Sequence, residues 1–149
     1  MKRTVLIAIG LAGCGTVQQT GRIDAPRLLE RRWVLQTLQG DRVQRRPEKV
    51  ATLKFHPNRT VGGTIACNST SSAKLRWLEA PGKMRGTFDM YGRGAGITTT
   101  VGCNDKEAEA IAGRFWNLME TARTWSVERH GLIIAFTDGS EARLIPLRR

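Results

Sequence analysis

Short runs of alternating apolar and polar residues, cut by turn chemistry, constrain this chain more than any other feature. In VATLKF, residues 50–55, Ala51, Leu53 and Phe55 alternate with Thr52 and Lys54. A period of two predicts a half-buried strand. HPNRT, 56–60, supplies turn residues in Pro57 and Asn58, and VGGTIAC, 61–67, returns as the hairpin partner. RRWVLQTL, 31–38, opens the body with Trp33 and Leu35 on one face. KLRWL, 74–78, then APGK, then MRGTFDMY, 84–91, predict a second hairpin. GRGAG, 92–96, reads as a flexible loop, and ITTTVG, 97–102, as a short β-branched strand. Three more strands lie in TWSVERH, LIIAF and EARLIPL, divided by His130-Gly131 and Asp138-Gly139; the second pair is a strong hairpin signal.

One segment has a different period. From about Asp105 to Ala122, residues Ile111, Phe115, Leu118, Met119 and Ala122 recur at helical spacing and form an apolar face. Asn104, three residues before Glu107, resembles a capping box, and Asp105 and Glu107 suit the positive end of the helix dipole. Gly113, in mid-helix, is read as a mark of close packing. The order is several strands, one helix, then three strands. The expected class is α+β: a small antiparallel β-sheet or cracked β-barrel with one packed α-helix, following an N-terminal lipoprotein signal peptide.

That leader is read from Lys2 and Arg3, then the apolar run Val5 to Ile9. About ten helical residues span roughly 15 Å, about half a bilayer core, which suits an export signal and not a membrane span. Leu11-Ala12-Gly13-Cys14 resembles the lipobox of bacterial lipoproteins. The resemblance implies cleavage before Cys14 and acylation of its sulfur and new amino group. Two or more acyl chains give stable anchoring. By sorting convention, Gly15 in place of an aspartate favours the outer membrane, with the domain facing the periplasm. Residues 1–13 are thus expected to be signal peptide, 14–30 a lipidated cysteine and flexible tether, and 31–149 one folded domain.

The formal charge of +11 falls to +9 once Lys2 and Arg3 are removed. The basic residues are scattered, with no aromatic-rich basic motif, so nucleic acid is not an expected partner. Most of the charge is read as solvated surface, with an anion-binding face as the alternative. A single domain on a tether is expected to be monomeric.

After Cys14, the remaining cysteines are Cys67 and Cys103, each followed by asparagine. An even pair in an exported chain points to a disulfide, the alternative being two buried free thiols. No Cys-x-x-Cys occurs, and only His56 and His130 are present, so neither a redox pair nor a metal site is expected. Catalytic sets are also missing. Glu107 and Glu109 point apart on a helix, and Ser69, Ser71 and Ser72 are expected in a polar loop without a nucleophile elbow. GRGAG lacks the Lys-Ser/Thr of a phosphate loop. No enzyme and no cofactor are expected. Asn68 and Asn104 are read as satisfying turn or helix-end backbone groups.

Taken with the lipobox, these blocks resemble the META domain family and its HslJ-like lipoproteins over roughly residues 31–147. The residues that carry the resemblance are Trp33 and Leu35; Leu53, Phe55, Gly63, Cys67 and Asn68; Thr98 to Cys103; Phe115 and Leu118; and the closing GLIIAFTDGSEARLIPL. Two departures stand out. Ala66 replaces the family's usual glycine before Cys-Asn, and Val101-Gly102 replaces its frequent methionine and alanine. The resemblance implies a small cracked barrel with one helix, no enzyme activity, and a loose link to envelope stress, motility or secretion.

Three roles are compatible with the sequence. A binding or adaptor lipoprotein docking an envelope protein predicts an exposed apolar strip. A carrier or sensor of an apolar or anionic envelope molecule predicts an enclosed cavity. A passive envelope protein predicts neither. The adaptor role is favoured, with a candidate groove at Phe115, Trp116 and Met119, where Trp116 lies off the Ile111-Phe115-Met119 line and is expected to be exposed.

Overall fold

A computed structural model describes residues 25–44, 46–81, 83–91 and 96–147. The expected export signal, Cys14, most of the expected tether and most of GRGAG lie outside these residues. A short helix α1, Ala25–Glu30, precedes β1, Arg32–Leu38, and the two-residue β2, Asp41–Arg42. Then come β3, Ala51–Phe55; β4, Thr60–Ile65; β5, Asn68–Glu79; β6, Arg85–Met90; and β7, Ile97–Thr98. Helix α2, Lys106–Met119, leads into β8, Ala122–Glu128; β9, Gly131–Phe136; and β10, Glu141–Pro146.

All neighbours pair antiparallel in one ten-stranded sheet. Its path runs β10-β9-β8-β6-β5-β4-β3-β1, and β1 also pairs with β10, from Trp33 opposite Pro146 to Leu38 opposite Ala142. This last ladder closes an eight-stranded barrel, with β2 and β7 as appendages. The expected α+β class with an open sheet or cracked barrel is therefore wrong. The protein is mostly β, and there is no crack because the first and last barrel strands satisfy each other's edge groups. The expected single packed helix is present as α2.

The alternation read at residues 50–55 fills the barrel, and β9, placed in the sequence only as a strand, alternates in the same way. Ala51, Leu53 and Phe55 of β3 are buried, as are Leu132, Ile134 and Phe136 of β9. An eight-stranded barrel has an interior just wide enough for side chains to fill. Here Phe55 sits at the centre, with ring centroids 5.6 Å from Trp77, 6.1 Å from Phe88 and 5.8 Å from Trp125. Burying an indole leaves an N–H that needs an acceptor. Trp77 donates to His56 O at 3.1 Å, Trp125 to Leu78 O at 3.1 Å, and Trp116 to Thr64 O at 2.9 Å. Trp33 Nε1 is buried without a partner.

Other boundaries differ from the sequence reading. Ser69, Ser71 and Ser72 are not in a loop. They form the polar first half of β5, a 12-residue strand that pairs first with β4 and β7 and then with β6. The stretch 97–102 is strand only at Ile97–Thr98. The tether as drawn, 14–30, ends in α1, whose Leu28 is in the core. The helix is capped by Asp105, whose carboxylate accepts from Ala108 N at 3.0 Å, and not by Asn104. Ala122 belongs to β8.

Helix α2 buries Ala108, Ala112, Phe115, Trp116 and Met119. By register Gly63 is opposite Leu53, whose side chain faces the barrel core, and a Cβ on Gly63 would lie 3.0 Å from the Trp116 ring. The helix thus packs its wide apolar face onto the inward side of β3 and β4 and stoppers that mouth of the barrel. No helix among the described residues is long and apolar enough to cross a membrane.

Candidate functional site

The two motif cysteines meet. Cys67 and Cys103 form a disulfide, with Cα atoms 5.7 Å apart. The expectation of a disulfide, and not two free thiols, is met. Cys67 lies in the tight connection between β4 and β5, where Ala66 has φ of +49°. That left-handed conformation is costly for any residue with a Cβ, which explains the glycine usual at this position in the family that the sequence resembles.

Asn68 is buried beside the disulfide and works as a clamp. Its Nδ2 donates to Val101 O at 2.9 Å, and its Oδ1 accepts from Val101 N at 2.7 Å and from Thr99 Oγ1 at 3.1 Å. One amide side chain so replaces a missing strand partner for residues 99–101. Together with Thr70 Oγ1 against Thr98 Oγ1 at 2.9 Å, it lays the segment 97–103 along β5. The structural role expected for Asn68 is what its bonds supply. The motif residues therefore gather in two places: Cys67, Asn68 and Cys103 at the clamp, and Gly63 under Trp116. Trp33 lies elsewhere, in the barrel on β1.

The clamped segment forms one wall of a groove. Ile65, Thr70, Ser72, Lys74, Met90 and Thr98 line it on the sheet side, and Trp116, Asn117, Met119 and Glu120 on the helix side, around a volume of about 240 Å³. Of the three residues expected to form a groove, Trp116 and Met119 are its floor and Phe115 is not part of it, being fully buried in the core. Trp116 is not exposed either: it retains 8% of its surface, because its indole is anchored on Thr64 and packed against Gly63. The sheet-side wall went unread because its Thr, Ser and Lys residues resemble loop. The large apolar groups that do face solvent beside the groove are Met90, 48% exposed, and Ile97, 77% exposed. The polar threonines, serines, Lys74 and Glu120 around them offer hydrogen bonds to a backbone or rim.

Among the described residues, no group of three or more His, Cys, Asp or Glu side chains is placed to hold a metal ion. Burial, and secondly the charge of Lys54, hold His56 below its usual pKa. Hydrogen bonds from the Ser140 side chain and then its backbone lower Asp138, in the turn between β9 and β10.

A family model described as META domain matches residues 26–148. No curated protein matches the chain. Two proteins solved by NMR share its fold. One, from Burkholderia xenovorans, is 18% identical with a TM-score of 0.54, over 100% of this chain and 99% of that one. The other is 16% identical with a TM-score of 0.53, over 83% of this chain and 95% of that one. At these identities the likeness concerns the fold alone.

Proposed function

The chain belongs to the META domain family, and from that premise we propose that it is a non-enzymatic binding protein of the bacterial envelope. In this reading it is anchored to the outer membrane through acylated Cys14, faces the periplasm, and docks a protein partner in the groove beside α2. The observation that carries the reading is a contrast between inside and outside. The barrel axis is filled by Phe55, Trp77, Phe88 and Trp125, whereas the surface groove is open and flanked by exposed Met90 and Ile97. An adaptor needs such an apolar strip; a carrier of lipid tails needs an enclosed space. The groove has room for one or two apolar side chains of a partner segment, and the backbone edge of β7 lies next to it. Adaptors of this kind serve envelope stress responses or secretion, and that is the setting proposed.

The test is affinity capture of the full-length protein from membranes in mild detergent, with proteins and lipids both identified. It is run in parallel on wild type and on Ile97→Glu and Met90→Glu, which alter the flanks without entering the core. A near-stoichiometric protein held by wild type and lost by both variants supports the reading. A lipid retained alone, and retained by the variants, sinks it.

A further inference from the structure

Charge is divided unequally between the two ends of the barrel. By the registers of the ladders, the start of β1, the end of β10, and the β3–β4, β5–β6 and β8–β9 turns all lie at one end. Arg31, Arg32, Arg59, Lys83, Arg85 and Arg129 stand there, against the acids Glu30, Glu79 and Glu128. The opposite end carries α2, and three of its cations have acidic partners. Lys106 contacts Glu109 at 3.0 Å, Arg143 contacts Glu141 at 2.8 Å, and Arg114 approaches Asp41 at 3.7 Å. Among the described residues no ion pair neutralises the cations of the first end. One of them, Arg59, is instead spread over the Trp77 ring at 4.4 Å.

The cationic end is also indented. Arg31, Arg129 and His130 rim a depression of about 270 Å³, with Glu128 on its edge and Trp33, Ile145 and Pro146 beneath. Trp33 is the tryptophan whose buried indole N–H lacks an acceptor. Cations without partners and a depression between guanidinium groups are what a surface needs to receive phosphate oxygens.

We propose that this end of the barrel is a docking face for an anionic phospholipid bilayer, with lipid phosphates seated between Arg31 and Arg129. Cations gathered on one face act together within a Debye length of a negative surface, whereas the paired charges at the other end are cancelled locally. The geometry follows. The chain enters the barrel at Arg32, at this same end, so docking here turns α2 and its groove away from the lipid, toward soluble partners. The inference is carried by charge placement and stands whether or not Cys14 is acylated.

The test uses the full chain with Cys14→Ser, which has no acyl anchor. Cosedimentation is measured with phosphatidylcholine vesicles and with mixed phosphatidylcholine–phosphatidylglycerol vesicles, and the reading is the gain in binding caused by phosphatidylglycerol. Reversing two charges at the docking end, Arg85→Glu with Arg129→Glu, should cut that gain at least roughly twentyfold. Reversing two exposed cations at the other end, Arg42→Glu with Lys49→Glu, changes net charge equally and should cost no more than about threefold. Equal losses from the two pairs would show a net-charge effect and overturn the proposal, as would the lack of any gain from phosphatidylglycerol. Circular dichroism of each variant confirms that lost binding is not lost folding.

Discussion

Asn68 holds Val101 by both faces of its backbone: the side-chain amide donates to Val101 O at 2.9 Å and accepts from Val101 N at 2.7 Å. The pair stands in for a strand ladder where no strand is available. Asn68→Ala leaves a donor and an acceptor of Val101 without their partner and should lower stability by about 2–3 kcal/mol. Amide exchange of Val101 is the sharper readout. If it stays as slow in Asn68→Ala as in wild type, the clamp is not what orders this segment.

The disulfide reinforces the same segment across 36 residues of sequence. Loop-closure entropy for a link of that span gives about 4 kcal/mol. Replacing both Cys67 and Cys103 by serine should lower the unfolding free energy by that amount, read as a lower guanidinium midpoint, and reduction of the native chain should match it. Coincident melts with and without reductant would mean that the bond adds nothing.

Ala66 occupies a conformation, φ of +49°, that favours glycine. Ala66→Gly should therefore stabilise the fold, by about 1 kcal/mol, even though glycine makes the unfolded chain more flexible. A lower melting temperature in the glycine variant would count against this account of the turn.

Two glycines should respond oppositely to alanine. At Gly63 a methyl would fall 1.8 Å from Thr52 O on the neighbouring strand and 3.0 Å from Trp116, so the variant should lose about 3 kcal/mol or more. At Gly113 the methyl meets open space, contrary to the close packing expected from the sequence. Gly113→Ala should gain about 1 kcal/mol from helix propensity. Thermal melts of both variants check the contrast.

His56 links stability to pH. Burial, with Lys54 second, holds its pKa below the usual 6.5. The unfolded chain therefore takes up the proton more readily than the folded one. The native preference for neutral His56 is unchallenged above 6.5, and stability declines as pH falls below that value toward the folded pKa. His56→Gln should flatten this part of the stability profile. An unchanged slope in the glutamine variant would assign the effect to other groups.

Local physics was legible in the sequence; pairing across long separations was not. Alternation at residues 50–55 located β3, and the His130-Gly131 and Asp138-Gly139 turns located β9 and the hairpin it forms. The helical period found α2 and its apolar face, although Phe115, also assigned to a groove, is buried away from it. Closure was invisible, because nothing in RRWVLQTL or EARLIPL says that these strands are partners more than a hundred residues apart. Trp116 was misjudged for a related reason. A helix lying on a flat sheet buries a narrow stripe, but one seated in a barrel mouth buries a wider arc. The polar start of β5 looked like loop because its side chains meet threonines of β4 and β7 and not a hydrophobic layer.

The ladder between β1 and β10 also sets when the chain can fold. A growing polypeptide makes β1 near its beginning, yet that strand's second partner is completed only at Pro146. Until then the sheet has two raw borders, at β1 and at β9, each able to recruit a strand from another molecule. A product cut short before Glu141 would keep those borders permanently and should associate with itself instead of persisting as a smaller monomer. Closure of the barrel is thus gated by the arrival of β10, and the sheet stays open until that strand is made.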